Sequence, residues 1–189
     1  MSEETSTPTH TTTPPPRARG TATTRTGGTT GTRAGTAAGG VLLAGTVAAG
    51  LVAGTYYAFA CAVMPALARG DDRTYVEVMR AVNDVIQNPV FFTAFFGAPL
   101  LTGVSAWRLR GTEGRGWIWA GFLACALAFL VTVACNVPLN DALTRPGAPH
   151  ALRERFEDPW VAWNAVRTVV STVAVGCLGR GLWVVGRRP

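Results

Sequence analysis

Arg167 lies inside WVAWNAVRTVVS (160–171), in the middle of a run otherwise apolar enough to cross a bilayer. An ionised side chain within hydrocarbon costs roughly 2.5 kcal/mol or more, so such a group turns toward a protein interior or a watery cavity. A guanidinium offers a fork of N–H donors suited to an anion, or to a carbonyl oxygen that gains negative charge during a reaction. On the same helix Trp160, Trp163, Asn164, Arg167 and Ser171 follow i, i+3, i+4, i+7, i+11 spacing, a single stripe. At 1.5 Å per residue Arg167 sits roughly 10 Å deeper than Trp160.

Polar residues at the ends of the other apolar runs can converge on that stripe: Tyr56 or Tyr57, Asn83 with Asn88, and Asn136 with Asn140. Asn136 and Asn140 share one helical face, just where Pro138 frees a backbone carbonyl. The expectation is a cavity in which Arg167 and Asn164 act on a substrate held by Tyr56, Asn83, Asn88, Asn136, Asn140, Trp160 and Trp163. The competing expectation is a set of interhelical hydrogen bonds that lock a bundle with no ligand. A general base is not evident, because no Asp, Glu or His falls within an apolar run. Asp84, Asp141, His150 and Asp158 lie in the connecting segments and could reach the mouth of such a cavity.

The distribution of charge dictates the elements that must position these residues. No charged residue occurs from Ala34 to Ala68, from Val85 to Trp107, or from Gly116 to Asn140, and Arg167 is the single exception from Pro159 to Gly179. About 20 mostly apolar residues cross the ~30 Å hydrocarbon core. The expected fold is therefore all-α: a four-transmembrane-helix bundle, residues 37–186. The segment Asp71 to Gln87 adds an amphipathic helix between the first two spans, with Tyr75, Val78, Met79, Val82, Val85 and Ile86 at helical spacing. Residues 1–36, dominated by Thr, Pro, Gly and Arg, read as a disordered tail. A signal peptide is disfavoured by the length of that tail and of the apolar run behind it.

The net charge of +6 does not indicate nucleic acid, because the basic residues form no stripe with interleaved aromatics. They flank the spans instead. Arg17, Arg19, Arg25, Arg33, Arg108, Arg110, Arg115, Arg180, Arg187 and Arg188 collect on one side, while the two remaining loops mix arginines with carboxylates. The positive-inside rule then places both termini in the cytoplasm, as in a plasma-membrane protein. The 4 cysteines have no Cys-x-x-Cys spacing and read as packing residues. A haem or metal site would have to borrow Met64, Met79 or carboxylates, and no phosphate-binding glycine loop occurs. Gly50 and Gly54 have the GxxxG spacing of close helix packing, expected here within the bundle although an oligomer is also compatible. Pro99 should kink the second span.

Four blocks, GTYYAFACAVMPAL (54–67), MRAVNDVIQNPVF (79–91), ACNVPLND (134–141) and WVAWNAVRT (160–168), make the sequence resemble the anthrone-oxygenase-like family of small four-helix membrane proteins. The resemblance implies a membrane-embedded monooxygenase that converts an aromatic polyketide, anthrone to anthraquinone, with O2 and without an evident redox cofactor. Many relatives of this kind have no assigned substrate. A non-enzymatic membrane protein that binds a hydrophobic ligand or a partner is the alternative.

Overall fold

The computed structural model describes the backbone over residues 29–187 and the side chains over 37–187. Residues 1–28 of the expected tail lie outside the described residues, and the first helix begins at Thr29. The described residues are helical without a strand: α1 (Thr29–Ala58), a π-helical turn (Phe59–Val63), α2 (Met64–Leu67), α3 (Asp72–Val85), α4 (Pro89–Arg108), α5 (Arg115–Val131), a second π-helical turn (Thr132–Asn136), α6 (Val137–Leu143) and α7 (Pro149–Gly186). Four stretches are long and apolar enough to cross a membrane: Ala37–Leu67, Pro89–Arg108, Arg115–Leu143 and Pro149–Gly186. The chain is an integral membrane protein.

The four spans form a ring in which α1 packs on α4 and α7, and α5 packs on α4 and α7. The second span has 20 residues, which at 1.5 Å each is about the thickness of the hydrocarbon core. The other three are longer. Their excess lies at one end, where α2, α3, α6 and the start of α7 build a cap around Met64, Tyr75, Val76, Met79, Leu143, Phe156 and Trp160. Two arginines clasp this cap: Arg80 donates to the carbonyls of Leu143 and Arg145, and Arg153 to those of Ala68 and Gly70 as well as to Asp72 and Glu157.

α3 begins where the Asp71 carboxylate accepts from the Thr74 amide, an N-cap that satisfies a donor left open by the helix. That amide and the Thr74 hydroxyl hold the Asp71 carboxyl below its ordinary range. The buried stripe of α3 is Tyr75, Val76 and Met79. Val78 and Val85, expected on the same face, are exposed because Val76 and not Val78 completes the turn toward the cap core. α4 runs unbroken through Pro99.

The close approaches between spans involve glycines other than those expected. A Cβ at Gly121 would meet Leu178 Cγ at 2.6 Å, and one at Gly181 would meet Ile118 Cγ1 at 2.8 Å, so α5 and α7 interlock reciprocally. Gly45 lies close on Leu101 and Thr102 of α4, where a Cβ would meet both side chains at 3.1 Å. Gly50 and Gly54 have no neighbour within 4 Å and pack on nothing within the bundle. The outward faces carry Leu43, Val47, Leu51, Leu100, Leu123, Leu127, Val169 and Val173, an apolar surface that only a lipid solvent makes stable. At the end opposite the cap, Arg110 lies over Trp107, and Arg180 and Arg187 over Trp183, pairing a belt of aromatic rings with cations.

Candidate functional site

The buried positions of α7 repeat at alternating steps of four and three: Trp160, Asn164, Arg167, Ser171, Ala174, Leu178 and Gly181. That seam packs on α1 and α5 and faces the bundle interior. Arg167 is thereby drawn into the bundle, 6% exposed. Its guanidinium carbon stands 4.3 Å from the Tyr56 ring centre and 5.0 Å from that of Trp160, a sandwich between two electron-rich faces. Each such contact contributes about 2 kcal/mol when desolvated. Nε donates to Asn164 Oδ1 at 3.1 Å, and the Asn164 amide donates in turn to the Tyr56 carbonyl at 3.2 Å. That carbonyl lies just before the first π-helical turn, where the regular i to i−4 ladder is interrupted.

Among the described residues the Arg167 charge has no carboxylate partner, and its side-chain neighbours are neutral: Asn164, which accepts from Nε, and the Tyr56 hydroxyl. Around it opens a cavity of about 190 Å³ lined by Tyr56, Phe59, Asn83, Phe91, Phe92, Phe95, Thr132, Asn140, Asp141, Trp160 and Arg167, among others. Two groups of rings form its aromatic walls: Phe91 stacks on Phe95 at 5.5 Å, and Phe59 meets Trp160 at 5.6 Å. The Thr132 hydroxyl donates to the Ala128 carbonyl, so it accepts from Tyr56 Oη at 3.0 Å. The Asn83 amide nitrogen is buried without an acceptor. The cavity thus presents unused N–H donors set in an aromatic box, suited to a planar ligand that carries an oxygen able to take negative charge. An engineered void of about 150 Å³ with aliphatic and aromatic walls accepts benzene. By that measure this one encloses one ring and its carbonyl, and a larger planar molecule keeps its remainder in the mouth.

Of the residues expected here, Arg167, Asn164, Tyr56, Asn83, Asn140 and Trp160 come together, whereas Tyr57 is 61% exposed and points away. Asn140 accepts from Trp160 Nε1 at 2.8 Å and holds that indole in the wall. Asn136 does not line the cavity. It lies behind Trp160, donating a long 3.5 Å bond to its carbonyl and leaving Oδ1 unpaired. Asn88 is not brought to the site either: its side chain accepts from the amides of Val90 and Phe91 and caps α4. Trp163 stands off the seam, 40% exposed. Sequence reasoning missed Thr132 and the phenylalanines of VFFTAFF, whose i, i+1, i+4 repeat at 91, 92 and 95 was a legible signal for an aromatic wall. Asp84 and Asp158 do not line this cavity, and His150 is engaged with Asp72 at 3.2 Å.

No curated protein matches the chain, and no solved structure does. A family model described as anthrone oxygenase matches residues 87–177, from the start of α4 through most of α7. That segment, just under half of the chain, carries Asn140, Asp141, Trp160, Asn164 and Arg167, and over it the chain is similar to the anthrone-oxygenase family.

Proposed function

We propose that the protein oxidises an aromatic polyketide of the anthrone type with O2, in the cavity beside Arg167. The observation that carries the reading is a guanidinium held between two aromatic faces without a counter-ion, at the wall of a box that fits one ring and its oxygen. An anthrone has an acidic methylene between two aromatic rings. Loss of one proton gives an enolate whose oxygen Arg167 stabilises, the task of preorganised donors in a water-poor site. The enolate carbon is electron-rich enough to reduce O2 by one electron, and the resulting radical pair closes a C–O bond. Departure of water then leaves a carbonyl, so the methylene loses two hydrogens and gains one oxygen atom while the other oxygen leaves in water. Asn164 fixes Arg167 for this role through Nε. By its charge distribution the protein sits in the plasma membrane with both termini cytoplasmic and the cap on the far side.

The test supplies membranes containing the protein with an anthrone and O2, and follows quinone absorbance. Wild type should exceed empty membranes. Arg167→Gln should lose roughly 10²-fold or more in turnover, the usual effect of removing one oxyanion donor, and Asn164→Ala should lose less. Equal rates in all samples, including empty membranes, remove the assignment. Saturable binding of the anthrone without quinone formation would instead identify a protein that only binds a hydrophobic ligand. A reporter fused to either terminus reads the orientation.

A further inference from the structure

The cavity contains one carboxylate. Asp141 sits on α6 one residue beyond Asn140, whose amide is fixed on Trp160, and this residue, exposed at the rim, is among those lining the same space as Arg167. Among the described residues its carboxylate takes part in no hydrogen bond or ion pair, and two arginines of the cap are engaged elsewhere, Arg80 with two carbonyls and Arg153 with Asp72 and Glu157. A carboxylate at a helix end with no structural partner is free for chemistry. The π-helical turn followed by Pro138 sets the rotation of α6, and Leu143 anchors it in the cap core, so Asn140 and Asp141 are carried to the rim of the cavity.

We infer that Asp141 is the general base of the reaction proposed above, and the inference rests on that reading. Asp141 Oδ takes the methylene proton of the substrate, and the C–H pair becomes the enolate held by Arg167. O2 accepts one electron from the enolate, and the superoxide so formed joins the carbon radical. The peroxide oxygen recovers the proton from Asp141, which regenerates the carboxylate. The same carboxylate removes the second methylene proton as the O–O bond breaks and passes it to the departing hydroxide, which leaves as water and regenerates the carboxylate. Carboxylate and guanidinium therefore act at opposite ends of one conjugated system, and they form no ion pair with each other.

The test compares Asp141→Asn, Asp141→Ala and Asp141→Glu with Asp84→Asn and His150→Gln, which alter the same end of the protein outside the cavity. Asp141→Asn should lose 10²- to 10⁴-fold in kcat, the range of general-base catalysis, with KM little changed. Asp141→Glu should recover part of the loss, and Asp84→Asn and His150→Gln should match wild type. Acetate added to Asp141→Ala should restore turnover in proportion to its concentration, a response that a structural role would not give. Wild-type turnover in Asp141→Asn, or an inert Asp141→Ala that acetate does not restore, overturns the inference while leaving the oxygenase reading intact. Absence of quinone in wild type removes the oxygenase reading itself.

Discussion

At the residue scale, burial alone does not distinguish the asparagines of the site from those of the scaffold. Asn136 and Asn164 are 0% and 1% exposed. Asn164 satisfies two partners that would otherwise be orphaned, Arg167 Nε and the Tyr56 carbonyl. Asn136 makes one long bond and carries an unpaired oxygen. Replacing a buried amide that makes only one long bond removes little, whereas orphaning a buried donor costs about 1–3 kcal/mol and more when it is charged. Asn164→Leu should therefore lower the melting temperature in detergent clearly, and Asn136→Leu should leave it near wild type. The reverse order would mean that Asn136, not Asn164, organises the site. The sequence showed the residue types but not these partners. Asn88 is instructive, because Asn followed by Pro at the start of an apolar run is an N-cap signature, and that local signal was sufficient to remove it from the site. Trp163 could not be excluded in the same way, since the choice between i+3 and i+4 from Trp160 depends on where the other helices lie.

At the scale of elements, helix pairing was legible only in part. Charge-free runs dictate four spans on the energetics of hydrocarbon alone, and the mixed loop between the first two dictates α3. Which small residues allow close approach is a property of two helices at once. The GxxxG spacing of Gly50 and Gly54 lies on α1 by itself and meets nothing, whereas Gly121 and Gly181 admit Leu178 and Ile118 because α5 and α7 are in register. Gly121→Ala forces Leu178 to shift near its branch point and also approaches the Ala174 carbonyl at 3.3 Å. It should destabilise by about 1–3 kcal/mol, the usual cost of overpacking. Gly54→Ala enters open space and should stabilise by up to about 1 kcal/mol through helix propensity. Thermal unfolding in one detergent measures both. A destabilised Gly54→Ala would show that this face is covered in the membrane, as by a second copy of the chain.

At the scale of the whole molecule, the ring of spans is not closed equally on all sides. α5 packs on α4 in the body of the bundle, and Phe95 and Phe96 both meet Phe129 there, at 4.8 and 5.8 Å. Toward the cap the chain of α5 continues into the second π-helical turn and α6, which turn to α7 and α3 instead of α4. The seam parts at that level. Phe92 and Val137, one from each side, line the cavity and are also 36% and 40% exposed on the lipid-facing surface. On the function proposed above, a planar apolar substrate dissolved in the bilayer would meet this opening without crossing water. Val137→Trp narrows this gap without touching Arg167, Asn164 or Asp141. It should raise KM by roughly tenfold, equivalent to about 1.4 kcal/mol, with kcat nearly unchanged. Leu123→Trp adds the same bulk to the lipid face of α5 away from the gap and should leave both constants at wild type. If Val137→Trp lowers kcat with KM unaltered, the substrate enters from the cap side, and the parted seam serves only to let the cap settle on the bundle.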